Sequence, residues 1–242
     1  MFFKLPRAKV VDRTKFITEF CRGKNVIHLG AAQGSDDNDL DLFRKNISSE
    51  KYIHRVVSTV SRKAIGIDYN PFFIEEMKKS GFTNIFYGDI EKEETLEIKD
   101  FEPDVILLGE ILEHLSNPGN AIKNILKKLA TDKTTVLITI PNGLTFSNFI
   151  FALLGKESHD PDHSLLFTPR IISNLLNKNG AKVSDIFYTQ TTIHTESFFV
   201  DYYYKKLRKL RTFLYWLMNN IFIRIQPAFA EGLIVLAHRK KQ

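Results

Sequence analysis

The feature that most constrains this chain is a series of short apolar runs, each ending on a small or acidic residue. Val26-Ile-His-Leu29 runs into Gly30, and Ala64-Ile-Gly-Ile67 into Asp68. Asn84-Ile-Phe-Tyr87 runs into Gly88-Asp89, and Asp104-Val-Ile-Leu-Leu108 into Gly109-Glu110. Between them lie helical patterns: Asp12 to Arg22, with Gly23 as a stop; one or two helices in Leu40–Ser61; Pro71–Lys79; and Gly119–Ala130. Thr134–Ile140, a helix at Pro169–Lys178 and strands near Lys182–Tyr188 and Gly232–His238 continue the alternation. Strands that are apolar throughout and alternate with helices call for a mostly parallel sheet covered on both faces, a doubly wound α/β fold. With 242 residues, 43% hydrophobic, the whole of 1–242 reads as one domain. The stretch at about 195–230 interrupts the pattern as a helical insertion before the last strand.

Ligands of such sheets sit beyond the carboxyl ends of the strands, so the residues there carry the chemistry. Gly30-Ala-Ala-Gln-Gly34 is a tight turn of small residues, but a dinucleotide G-x-G-x-x-G would need glycine at Ala32 and Ser35. No G-x-x-x-x-G-K-[ST] loop exists either, so a pyrophosphate cradle is not supported. Asp68 could accept both hydroxyls of a ribose, or cap the helix that begins at Pro71. Asp89 could accept from an exocyclic amine while Ile90 covers a purine face. Glu110 adds an acid where the sheet opens. A nucleoside without a pyrophosphate is what this order of residues suits.

The series VIHLGAAQG, IGIDYNP, FYGDIE, DVILLGEILEHLSNPG, VLITIPN resembles the class I S-adenosylmethionine-dependent methyltransferases. It is most similar to the small-molecule branch with an E-x-L-E-H-L segment after the fourth strand. His159-Asp-Pro-Asp-His163 with Phe167-Thr-Pro-Arg170, and the closing GLIVLAHRK, resemble the same branch. The resemblance covers roughly residues 25–190 and 231–240. It implies a Rossmann-like, doubly wound, seven-stranded sheet of order 3-2-1-4-5-7-6 with an antiparallel last strand. It also implies S-adenosyl-L-methionine as cofactor. Gly30, Ala31, Ala32, Gln33 and Gly34 become the methionine loop, Asp68 the ribose ligand and Tyr69 the neighbour of the adenine. Asp89 and Ile90 frame that ring, and Gly109 and Glu110 close the pocket below the sulfonium. His28 stands where the family carries an acid, and Ala32 where it carries a second glycine.

Methyl transfer to a hydroxyl gains from a base that titrates near neutrality, which points to histidine. His114, in Glu110-Ile-Leu-Glu113-His114-Leu115, and His163 are the expected catalytic residues; His159 is a third candidate. As alternatives, His114 would cap or pack the next helix, and Asp160 and Asp162 would be turn residues. Pro161 argues against a helical spacing of the two flanking histidines, and no Cys/His cluster has zinc spacing, so no metal is expected.

Charge narrows the partners. Of the net +6, nearly all comes from residues 198–226, where six Lys and Arg face only Asp201. A local patch argues against a protein-wide nucleic-acid surface. In that segment Leu207, Leu210, Leu214, Leu217, Ile221 and Ile225 form a helical stripe. It reads as an inserted helix packing over the substrate cleft or against a second subunit through about 202–225. The alternative is contact with an anionic membrane surface or a lipid-linked acceptor. Lone Cys21 and the absence of a long apolar run suggest a cytoplasmic setting. The expected activity is methyl transfer to a small-molecule, sugar or lipid-linked acceptor, at oxygen. The rivals are a non-catalytic methyltransferase-like binding protein and, less favoured, a nucleic-acid methyltransferase, since Gly109-Glu-Ile-Leu stands where a base-amino methylase carries [DN]-P-P-[FYW].

Overall fold

The structure, a computed structural model, describes residues 3–33, 40–98, 100–153, 155–157, 160–190 and 221–240. In chain order the strands are β1 (Val10–Val11), β2 (Asn25–Leu29), β3 (Lys63–Asp68), β4 (Ile85–Tyr87), β5 (Val105–Gly109), β6 (Thr135–Pro141), β7 (Ala181–Thr189) and β8 (Gly232–Arg239). The helices are α1 (Arg13–Cys21), α2 (Leu40–Ser48), α3 (Ile53–Val60), α4 (Pro71–Lys79), α5 (Pro118–Lys128), α6 (Phe146–Leu153) and α7 (Pro169–Lys178).

Three of these helices start on the same local chemistry. Asn70, Asn117 and Thr168 each accept a backbone N–H of the first turn, at 3.0, 3.0 and 3.3 Å, and each is followed by proline. The cap satisfies an orphan donor, and proline costs nothing where its missing N–H would have had no partner. Asp12 caps α1 in the same way through Lys15 N, at 2.7 Å.

All eight strands form one sheet in the order β1-β7-β8-β6-β5-β2-β3-β4. Every neighbouring pair is parallel except the two made by β8, which runs antiparallel to β6 and β7. Without β1 this is the expected seven-stranded order. The additional strand is a correction: Val10-Val11 is too short to carry a period, and only its pairing with Tyr188 and Thr189 makes it a strand. Helix α6 was likewise not anticipated.

Strand alternation sends side chains to two layers. Ile27, Leu29, Ile65, Ile67, Ile106, Leu108, Ile138 and Val235 meet α5 and α7 on one face. Val26, Ala64, Val105, Leu107, Leu137 and Ile234 meet α1 and α3 on the other. A third cluster, with Phe43, Tyr52, Phe73 and Met77, packs behind the turn after β2.

Most of the expected helical insertion, with its basic patch and the 202–225 interface, lies outside the described residues. The part that is described, from Ile221, docks inward. Phe222 stacks on Phe146 of α6, with centroids 4.3 Å apart, and Ile223 is buried. No helix among the described residues is long and apolar enough to cross a membrane.

Candidate functional site

The sheet reverses its winding between β2 and β5, and the expected site residues gather at the carboxyl ends of these strands and of β3. At Gly30 the chain leaves β2 with φ +63°, and a Cβ there would lie 2.8 Å from the Ile111 side chain. Glycine is therefore favoured by conformation, and any larger residue would also have to displace the Ile111 side chain. Ala31 and Ala32 are both fully buried, against the cluster behind the turn, so their methyls point into the core. This accounts for alanine where the family resemblance has glycine. Gln33 is exposed at φ +49°. Gly34 lies outside the described residues.

This turn is tied down from two sides. Asp68, at the end of β3, accepts Ala32 N–H through Oδ2 at 2.9 Å and Asn70 N–H through Oδ1 at 3.0 Å. Burial pushes its carboxyl upward, against these backbone donors, which favour the charged form. Because Asn70 caps α4, Asp68 is not the helix cap, and its oxygens keep lone pairs for a ligand. The buried Tyr52 hydroxyl lies 2.6 Å from Ala31 O and 2.7 Å from Ala32 O. Tyr52 carries no motif, and sequence reading missed it.

Tyr69 stands exposed beside Asp68, with 58% of its surface accessible. Asp89 accepts Glu91 N–H at 3.0 Å and pairs with Lys92 at 3.0 Å. Ile90 is packed into the main core, with its carbonyl held by Asn124 Nδ2.

His28 now has an explanation. It is fully buried, and its Nδ1 lies 3.2 Å from Nδ1 of His54 on α3. One imidazole donates and the other accepts, so the acceptor ring is neutral. Burial holds His28 well below its ordinary value, helped by repulsion from a protonated His54 and from Arg13, and burial lowers His54 to about 4, which favours two neutral rings. On the far side, a methyl built on Gly109 would sit 3.6 Å from His28 Nε2 and 3.7 Å from Arg13 Nη2. Arg13 was not read as a site residue. Its Nη1 pairs with Glu110 at 2.9 Å, while Nε and Nη2 are buried without a hydrogen-bond partner among the described residues. Glu110 itself has φ +55°, a conformation non-glycine residues seldom adopt.

Beyond Glu110 the chain brings Glu113, His114 and His163 together, with a ligand atom from each within 4.8 Å of the others. The rings of His114 and His163 meet edge to face, 4.7 Å between centroids. His114 Nδ1 lies 3.2 Å from Asp162 O, and Asn117 caps the following helix, so His114 is no cap. Asp160 is a turn residue, accepting Asp162 N–H through its side chain and His163 N–H through its carbonyl. His159 lies outside the described residues.

No family model matches the sequence, and no curated protein matches it. Solved structures do match its shape. A Haloferax volcanii methyltransferase in complex with the Trm112 methyltransferase activator superposes with a TM-score of 0.57, at 13% identity, over 94% of this chain and 88% of that one. Synechocystis magnesium protoporphyrin IX methyltransferase, with bound S-adenosylhomocysteine, gives 0.55 at 11% identity, over 94% and 82%. An Archaeoglobus fulgidus S-adenosylmethionine-dependent methyltransferase gives 0.50 at 18% identity, over 93% and 90%. This is the class I S-adenosylmethionine-dependent methyltransferase fold. In that fold the turn after β2, Asp68 and Glu110 stand at the carboxyl ends of three neighbouring strands, although they are about 34 to 80 residues apart in sequence.

Proposed function

We propose that the protein is an S-adenosylmethionine-dependent methyltransferase acting at oxygen on a small-molecule, sugar or lipid-linked acceptor. One observation carries the reading most: the buried Asp68 carboxylate is bonded to Ala32 N–H, which locks a ribose-type acceptor and the turn after β2 into one rigid unit. The residues fit this cofactor and not a dinucleotide, because the N–H groups of Ala31 and Ala32 are bonded to Ile67 O and Asp68 and leave no nest of free donors for a pyrophosphate.

Asp68 would accept the ribose hydroxyls, with Tyr69 beside the adenine and Asp89 toward its exocyclic amine. Ile90 supports that wall from within the core. Gly30 and Gln33 would meet the amino-acid end, over the buried Ala31 and Ala32. Arg13 extends that set, since its buried Nε and Nη2, without partners among the described residues, suit a carboxylate and its partner Glu110, next to Gly109, suits an α-amino group. When bound, S-adenosylmethionine supplies a methyl group already activated on a sulfonium. The chain's own contribution is then alignment and the handling of one proton. His114 and His163 are the groups that would meet the acceptor hydroxyl, with either able to hold its proton.

Isothermal titration with S-adenosylhomocysteine tests the reading. The expected result is saturable binding that Asp68→Ala weakens; no binding to the wild-type chain overturns it and leaves a methyltransferase-like binding protein.

A further inference from the structure

We infer that Glu113, His114 and His163 form a binding site for a divalent transition-metal ion at the acceptor end of the cleft. The ion's role rests on the methyltransferase reading above; its binding does not.

The first observation is the carboxylate. Glu113 has no exposed surface, and neither of its oxygens has a hydrogen-bond partner among the described residues. A charged carboxylate is seldom buried without a partner, because desolvation then goes uncompensated. Arg13 does not supply one, since its guanidinium is directed to Glu110. A bound cation would supply the missing partner.

The second observation is the way the histidines are held. A backbone carbonyl can only accept, so the contact with Asp162 O makes His114 Nδ1 the protonated nitrogen. The Nε2 lone pair is thereby left for a ligand, the arrangement that orients metal-binding imidazoles. Glu113 O accepts Ser164 N–H at 2.8 Å and Leu165 N–H at 3.2 Å. These bonds fasten the 160–165 turn to the backbone of Glu113 and fix His163 beside it. The cluster is thus held together by main-chain bonds that do not depend on the ion.

The donor set indicates the ion. Two imidazoles and one carboxylate suit Mn²⁺, Co²⁺ or Zn²⁺, whereas Ca²⁺ and Mg²⁺ prefer all-oxygen shells. Three protein ligands leave coordination positions for water or an acceptor oxygen, and an oxygen so bound is a stronger acid. That role would make His114 and His163 ligands rather than bases.

The full chain, stripped with a chelator, would be titrated with Co²⁺ and followed by its visible absorption. One equivalent is expected, and Zn²⁺ should displace it. Glu113→Gln and His163→Ala should each weaken binding by roughly tenfold or more. Asp160→Ala should leave it unchanged. His163 lies on a partly exposed turn, so its variant keeps the test open should Glu113→Gln fail to fold. Substoichiometric uptake by the wild type, or equal binding by folded variants, overturns the site. A chain that binds S-adenosylhomocysteine but not Co²⁺ loses only this inference; one that binds Co²⁺ alone loses the proposed function instead.

Discussion

The two sides of the cleft are built on opposite terms. On the β2–β3 side, polar groups are answered from within the fold: Asp68 by Ala32 and Asn70, and the carbonyls of Ala31 and Ala32 by Tyr52. On the β5–β6 side they are not. Arg13 Nε and Nη2, both Glu113 oxygens and Thr139 Oγ1 are buried without hydrogen-bond partners among the described residues. His28 sits on the seam, with Nδ1 paired toward His54 and Nε2 open toward Gly109. A preformed seat and an unsatisfied wall are what a site needs when one ligand must be held firmly and another completes the chemistry.

That contrast can be broken by experiment. The largest effect is expected at the seam, in acid. His54 is neutral in the fold with its value lowered to about 4, and takes a proton below about 6.5 when unfolded. Its contribution is therefore complete above 6.5, declines as pH falls, and is gone below about 4. The integrated loss is about 3 kcal/mol. Urea titrations from pH 4 to 8 should show this limb, and His54→Gln should flatten it; an unchanged limb would mean the imidazole pair is not the acid-sensitive element.

Next comes Asp68→Ala, which removes the anchor of the firm side. Calorimetry should show S-adenosylhomocysteine binding weakened by roughly 100-fold, or about 2.7 kcal/mol. Tyr52→Phe removes the one proton that two buried carbonyls share and should lower unfolding stability by about 2 kcal/mol in urea. A neutral Tyr52→Phe would remove the case that this side is internally satisfied.

Smaller effects belong to the open side. Arg13→Met should weaken S-adenosylhomocysteine by about tenfold, with a smaller change in stability, because only one of the guanidinium's faces is paired within the protein. Glu113→Gln should change stability by less than about 1 kcal/mol without metal, since an isosteric amide replaces a carboxylate that has no partner to lose. A loss comparable to that of Tyr52→Phe would equate the two sides and end the comparison.

Much of this was legible in the chain. Pro71 and Pro169 mark two helix starts to the residue, and the helix read from Gly119 begins one residue earlier, at Pro118, because the chemistry that starts a helix is local. Asp68 and Glu110 were readable because a doubly wound sheet puts whatever follows a strand at the same edge. Val10-Val11, Tyr52 and Arg13 were not readable. Each acquires its role from a partner outside its own segment: Val10-Val11 from β7, Tyr52 from Ala31 and Ala32, Arg13 from Glu110.

The sequence by itself determined the alternation of elements, the order of acids after the strands and the glycine at the first turn. Those follow from period, caps and backbone freedom, all encoded over a few residues. Only the tertiary structure decided that His28 faces His54, that the alanines of the first turn point into a core, and that Glu113 meets His163 from fifty residues away. Such pairings depend on which strand lies beside which, and one residue of register in either direction would turn each side chain to the opposite face of the sheet.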